Sequence, residues 1–253
     1  PTDPVVVSGD SVMWSQANMD AVAASGGVFL GPIAMIATVA AWVCTATPDV
    51  EVSVVLERQK EPVTYRACVV GHFPVNGVAG AGTRLVVFDP RRAQAEAHER
   101  AQALERRDRA LGELRARLNG PRLKKHADAA RRLAALQKRH GLAARFVRTE
   151  LRETEGTLHL QWSHDEAALV DAARRDGRWP LVTNRAGLSD AELCAWSVRR
   201  YKTHGRVERD QHLLKGPLRL RPFFVRHDDR IRARVAVCAW ALMAWTLAER
   251  QAR

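Results

Sequence analysis

Tyr201, His204, Glu208 and Lys215 are separated by three, four and seven positions. On a helix at about 100° per residue they fall within a narrow arc of one face. Leu193, Trp196, Val207 and Leu214 form a neighbouring apolar stripe that should face a core. Glu208 is therefore a carboxylate among cationic and polar groups at the edge of a buried face. An ion pair is the simplest chemistry for such a residue. The other is a hard metal-ligating carboxylate flanked by side chains that hold phosphates; Mg²⁺ takes few protein carboxylates and leaves room for substrate oxygens. Two-metal phosphoryl transfer draws its acidic residues from separate elements. A second carboxylate, Asp10, follows the β-branched run Val5-Val6-Val7. The C-terminal end of a strand is where open α/β sheets place functional groups.

The elements that must carry these residues are legible in outline. Val5–Val7 reads as a buried strand, Ser15 opens a helix that Gly26-Gly27 stops, and Val28–Leu30 reads as a second strand. This β-α-β pattern predicts an α/β sheet. Residues 50–56, 63–70 and 84–88 alternate as strands of a more antiparallel region. Residues 91–118 and 122–140 are rich in Ala, Arg, Leu and Glu and break at Asn119-Gly120-Pro121, which predicts an antiparallel helical hairpin. Paired strands are expected at 144–150 and 157–162, a helix at 165–174 and a short strand at 179–183. Ser189 and Glu192 form a capping box that should open a helix running to about Lys215, which Gly216-Pro217 ends. A last helix is expected from about Asp228 to Arg250.

The 253 residues carry a formal net charge of +12, distributed in blocks. Residues 91–148 hold 17 basic and 6 acidic residues, and residues 199–234 hold 12 and 4. The stretches 1–90 and 149–198 are each net acidic, by four charges. Two basic blocks separated by acidic ones have the electrostatic footprint of a polyanion-binding protein. A solvated, Arg-rich helix surface would give the same composition. With 46% apolar residues, extended disorder is excluded. Cys44, Cys68, Cys194 and Cys238 lie far apart, which argues against a zinc ribbon or a disulfide framework and fits a reducing cytoplasm. The uncharged run Ala21–Pro48 is interrupted by Gly-Gly and Gly-Pro, so its apolar part falls short of the roughly 20 residues a membrane span needs. It reads as buried core. Trp162, Trp179, Trp196, Trp240 and Trp245 are expected in packing roles, whereas Trp14 and Trp42 could stand exposed. The histidines lack ligand spacing, and no dinucleotide or Walker glycine loop is present.

Three segments in order then carry a family resemblance. Tyr201-Lys-Thr-His-Gly-Arg-Val-Glu-Arg-Asp-Gln-His-Leu-Leu-Lys215 resembles the Tyr-(2)-Arg-(3)-Glu-(6)-Lys signature of bacterial insertion-sequence transposases of the DDE class. Val5-Val-Val-Ser-Gly-Asp-Ser-Val-Met-Trp-Ser-Gln-Ala-Asn18 is similar to the segment around their second catalytic aspartate. Asp176-Gly-Arg-Trp-Pro-Leu-Val-Thr-Asn184 resembles the strand before their catalytic helix. The resemblance implies an α/β chain with a partial ribonuclease-H-like core, interrupted by a large mixed strand and helix insertion domain. Residues 1–33 would be the first part of the core, 34–186 the insertion with its basic hairpin at about 91–140, and 187–253 the second part. Asp10 and Glu208 would be catalytic metal ligands for two Mg²⁺ ions. Tyr201, His204 and Lys215, with Arg206 and Arg209, would contact DNA. The implied partners are double-stranded transposon ends and target DNA, with a homo-oligomer on paired ends, in the cytoplasm and without a membrane.

The departures from the family pattern shape the expectation. His204 stands in place of the signature Arg, exchanging a bidentate phosphate clamp for an imidazole. Gln211 and His212 stand where relatives often carry Phe and Arg. The only acidic residue before Asp10 is Asp3, at the start of the same strand. The first catalytic aspartate and the strands around it are therefore expected to be missing, so that the chain is a fragment without cleavage activity of its own. The alternative is a non-enzymatic, basic DNA-binding remnant. A third reading, a basic membrane-surface protein, uses the same charge.

Overall fold

The structure is a computed structural model and describes residues 4–55, 61–76, 81–202 and 227–251. It is a mixed α/β protein. Two compact units are present: Pro1–Val52 with Thr64–Ser197, and Ser53–Val63 with Val198–Arg253.

A six-stranded sheet lies almost wholly within the first unit. Its strands are β1 (Val6–Ser8), β2 (Val28–Pro32), β3 (Val50–Val54), β4 (Val63–Pro74), β5 (Ala81–Phe88) and β8 (Arg178–Thr183), in the order β1-β2-β8-β5-β4-β3. β1 and β2 are parallel, with Val6 opposite Val28 and Ser8 opposite Leu30. They are joined by α1 (Gln16–Ala24), so the expected β-α-β unit is present. β8 runs antiparallel to both β2 and β5, and β5 antiparallel to β4. Strands from residues 34–186 thus share one sheet with the strands of residues 1–33. β8 is central and buried on both faces, which explains its unbroken apolar run Trp179-Pro-Leu-Val182.

The apolar run after Pro32 becomes α2 (Ala37–Thr45), an element absent from the sequence-based expectation. Its Val39 and Val43 pack on Val86 of β5. Nη1 of Arg178 donates to the carbonyls of Val43 and Ala46, at 3.0 and 2.8 Å. A cation thereby satisfies carbonyls that the helix end leaves open. Among the described residues no helix is long and apolar enough to cross a membrane.

The basic segment forms α3 (Pro90–Arg117) and α4 (His126–Arg139), followed by the short α5 (Gly141–Ala144). α4 starts four residues later than expected, because 118–125 is needed for the turn. Asp89 caps α3 by accepting from the amides of Arg91 and Arg92, and Pro90 occupies the first turn, where its missing N–H costs nothing. The root of α3 is fixed to the turn before β8. Arg100 forms a two-pronged, largely buried ion pair with Asp176. Glu96 accepts from the amide of Gly177 at 2.7 Å. Gly177 has φ of 68°, and a Cβ there would lie 2.4 Å from the carbonyl of Asp89, so this close approach requires glycine. Beyond the root, Leu111, Leu114, Leu118, Leu123, Ala129 and Leu133 pack on Val147, Leu158 and Leu160 of a second, two-stranded antiparallel sheet. That sheet is β6 (Val147–Thr154) with β7 (Thr157–His164). α6 (Glu166–Arg175) leads back to β8.

α7 (Asp190–Lys202) opens at the expected capping box. Ser189 Oγ accepts from the amide of Glu192, and the Glu192 carboxylate accepts from the amide of Ser189 at 2.9 Å. The remainder of the helix expected to reach Lys215 lies outside the described residues. In the second unit, α8 (Asp228–Gln251) is the last expected helix. Trp240 and Trp245 on it are exposed, at 70% and 53%, against the expectation of packing roles. Conversely Trp14 is buried.

Candidate functional site

Asp10 follows β1 directly and its carboxylate is exposed. One oxygen, Oδ1, accepts from the amide of Val12 at 3.1 Å, and the Asp10 carbonyl accepts from the amide of Met13 at 3.2 Å. The residue therefore sits in a local turn of the kind Asp favours. Among the described residues no cationic side chain pairs with it. The carboxylate thus keeps an oxygen open to solvent, which is the chemistry a hard cation would use.

The loop beneath Asp10 is held at three points. Trp14 Nε1 donates to the carbonyl of Gly9 at 3.4 Å, and its ring packs against Phe29 with centroids 5.8 Å apart. Asn18 donates to the carbonyl of Met13 at 2.7 Å. Ser15 caps α1 through the amide of Asn18. Gly31 of β2 completes the arrangement: a Cβ there would lie 1.9 Å from Trp14 Nε1 and 2.7 Å from the Gly9 carbonyl. The buried Trp14, which the sequence did not assign to the core, is what fixes the backbone of Gly9 and Asp10. Asp20 on the exposed side of α1 accepts from the amide and side chain of Asn76, tying the helix to the chain after β4.

At the opposite end of β2, Asn184 bridges the sheet. Its side chain accepts from the amide of Phe29 at 2.8 Å and donates to the carbonyl of Gly27 at 3.1 Å. It belongs to the Asp176–Asn184 segment singled out by the resemblance, and its role is to join the end of β8 to the start of β2.

Of the other residues singled out in the sequence, Tyr201 lies in the last described turn of α7 and is half-buried. His204, Arg206, Glu208, Arg209 and Lys215 lie outside the described residues. Among the described residues no three His, Cys, Asp or Glu side chains stand together as a metal site.

The basic hairpin presents a second feature. Between α3 and α4 lies an open cleft of about 1210 Å³. Its lining includes Arg117, Arg122, Arg131, Arg132, Arg139 and His140, against Glu113 and Asp128. The turn at its end is fixed by Asn119, which has φ of 63°. The Asn119 side chain donates to the carbonyl of Leu158 at 3.0 Å and accepts from its amide at 2.8 Å. His140 is held below its ordinary value by burial, and then by the charges of Arg139, Arg107 and Arg106.

No family model, curated protein or solved structure matches this chain.

Proposed function

We propose that this chain is part of a DDE transposase, acting on the phosphodiester backbone at insertion-sequence ends. The observation that carries the reading is the exposed Asp10, set at the C-terminal end of a strand in a parallel β-α-β unit by a loop anchored on Trp14. The order of the Asp10, Asp176–Asn184 and Tyr201–Lys215 segments along the chain supports it. In this reading the β1-α1-β2 unit belongs to a ribonuclease-H-like core.

Asp10 and Glu208 would hold Mg²⁺ together with a further carboxylate. When bound, two such ions supply the Lewis acidity that activates water and then a 3′-hydroxyl for in-line attack. The protein's own residues bind and orient. Asp10 is held by the Val12 amide so that one oxygen stays available. Tyr201, His204 and Lys215, with Arg206 and Arg209, would position the DNA backbone near Glu208. The basic blocks add sequence-independent affinity. The full enzyme would act as an oligomer on paired ends.

The second reading is a DNA-binding protein without cleavage chemistry. It is favoured by the basic block of residues 91–148, with 17 basic against 6 acidic residues, which supplies affinity for phosphates without any cleavage chemistry. One set of assays separates the two. The 253-residue chain is expected to bind duplex DNA without cutting it. A reading frame that adds an aspartate-bearing strand is expected to cleave transposon-end duplexes with Mg²⁺ or Mn²⁺, and to lose that activity with Asp10→Asn or Glu208→Gln while still binding. Failure of the 253-residue chain to bind duplex DNA would sink both readings. Cleavage by the 253-residue chain alone would refute the expectation of a missing carboxylate.

A further inference from the structure

The cleft between α3 and α4 concentrates positive charge that the fold leaves unneutralised. Five arginines line it, against two carboxylates. One carboxylate, Asp128, pairs with Arg131 at 3.4 Å. Among the described residues, no carboxylate lies within ion-pair distance of Arg117, Arg122, Arg132 or Arg139. Outside the cleft the exposed arginines are mixed: Arg106, Arg115 and Arg174 also have no carboxylate partner among the described residues, whereas others do. Arg92, Arg109 and Arg175 each pair with a carboxylate one helical turn away, as Arg148 does with Asp165. Solvated helix surfaces are usually laced with such pairs. The cleft gathers four unlaced guanidinium groups along one groove.

Its geometry is set in advance. Arg132 and Arg139 stand two turns apart on one face of α4, separated by about 10 Å along the axis. Arg117 and Arg122 flank the turn that Asn119 locks onto β7. α4 begins without a side-chain cap, and the one acidic residue of its first turn, Asp128, is engaged by Arg131. On the buried face of α3, the guanidinium of Arg107 is a further positive group with no hydrogen-bond acceptor among the described residues. A row of unpaired guanidinium groups along a rigid, open groove suits a partner that is itself a row of regularly spaced anions. Duplex DNA is such a partner, with one charge per about 1.7 Å of axis.

We propose that the α3–α4 cleft is a duplex-DNA backbone grip, in which Arg117, Arg122, Arg132 and Arg139 contact phosphates. This rests on the reading of the chain as a DNA-acting protein and adds a contact surface remote in sequence from the Tyr201–Lys215 segment.

The test measures binding of the 253-residue chain to a random-sequence duplex by fluorescence anisotropy, between about 50 and about 200 mM salt. Arg132→Gln combined with Arg139→Gln removes two contacts. The slope of log affinity against log salt should become shallower by about 1.8, at about 0.9 per phosphate. Affinity near the low-salt end should fall at least about tenfold. Arg109→Gln combined with Arg174→Gln removes the same charge outside the cleft and should change the slope by less than half as much. All four positions are exposed, and matched thermal melts verify that each variant is folded. An unchanged slope in the cleft variant, or an equal loss in the control variant, overturns the cleft while leaving the DNA reading standing. Absence of binding by the unmodified chain overturns both. Tighter binding to phosphatidylglycerol vesicles than to the duplex, abolished by the cleft variant, overturns the assignment of DNA as the partner.

Discussion

Replacing Arg107 with Met should stabilise the protein. Arg107 occupies a core position on α3, in line with Ala103, Leu111, Leu114 and Leu118, and only 1% of it is exposed. Among the described residues none of its three guanidinium nitrogens has a hydrogen-bond partner. Burial pushes its pKa below the ordinary value, while the neighbouring Asp108 carboxylate opposes that shift. A buried polar group left unsatisfied costs about 1–3 kcal/mol, more when charged. Exchanging buried ionic groups for apolar ones of similar volume often gains about 1–4 kcal/mol. Met keeps the length of the stem and adapts to irregular space. Against this stands the lost attraction to Asp108, about 1 kcal/mol for a partly solvated neighbour. The net expectation is a gain of about 1–3 kcal/mol, or a rise in Tm of about 2–4 °C per kcal/mol for a chain of this size. Thermal and urea unfolding followed by circular dichroism measure it. Arg107→Ala should be less stable than Arg107→Met, because it also forfeits the packing of the stem. An NMR titration provides a second readout: His140 should titrate at higher pH in Arg107→Met, since one of the charges depressing it is gone. Destabilisation of Arg107→Met by more than about 1 kcal/mol would refute the reasoning, by showing that the guanidinium has an acceptor in the folded protein.

Three further outcomes are expected. Asn119→Ala should lose about 1–3 kcal/mol in urea unfolding, through two hydrogen bonds to Leu158 and a left-handed backbone, whereas Asn119→Gly should lose less because glycine accepts that φ freely. Asp165 is held low by the Arg148 hydrogen bond, Asp20 by the Asn76 amide and Glu192 by the Ser189 amide, so each carboxylate is more acidic when folded than when unfolded. Their contribution is complete above the unfolded values of 3.8 for the aspartates and 4.5 for the glutamate and is lost as pH falls through the lower folded values; urea midpoints measured down an acid series should show the loss, and Asp165→Asn should flatten it. The Cys194 thiol, fully buried and pushed up to about 12 chiefly by desolvation, should react with a thiol reagent at mildly alkaline pH only on unfolding, whereas the half-buried Cys44 should react in the native protein.

The elements whose signals are local were legible in the sequence. The β-branched run before Asp10, the capping box at Ser189 and Glu192, and the breaker at Asn119-Gly120-Pro121 each place a boundary through the nearest few residues, and the structure follows them. α2 was not legible. Its run after Pro32 is apolar on nearly every side and has neither a capping side chain nor a charged face, so no periodicity marks it as a helix. What settles it is tertiary: Val86 of β5 receives one face and Arg178, some 130 residues away in sequence, closes its end. Trp14 was misjudged for the same reason. Its place depends on Gly31 leaving room across the parallel pair, and a glycine in a short strand carries no sign of which side chain it admits.

The candidate sites divide along the same line. The position of Asp10 was legible because a carboxylate just after a β-branched strand falls at the strand's C-terminal end in an α/β sheet. The α3–α4 cleft could be anticipated only as charge, since 17 basic residues in 58 do not say which are paired. Pairing is decided by helical phase. Arg92 has Glu96, Arg109 has Glu105 and Arg175 has Asp171, each four residues away. Arg132 and Arg139 have Asp128 and Ala135 in that role, and Asp128 points to Arg131 instead. Asn119 then turns this phase into a surface. By fixing the hairpin turn to Leu158, it holds the unpaired faces of α3 and α4 against a common groove rather than letting each dissolve into solvent. Disrupting Asn119 should therefore weaken DNA binding as well as stability, although the residue carries no charge and touches no arginine of the cleft through its hydrogen bonds.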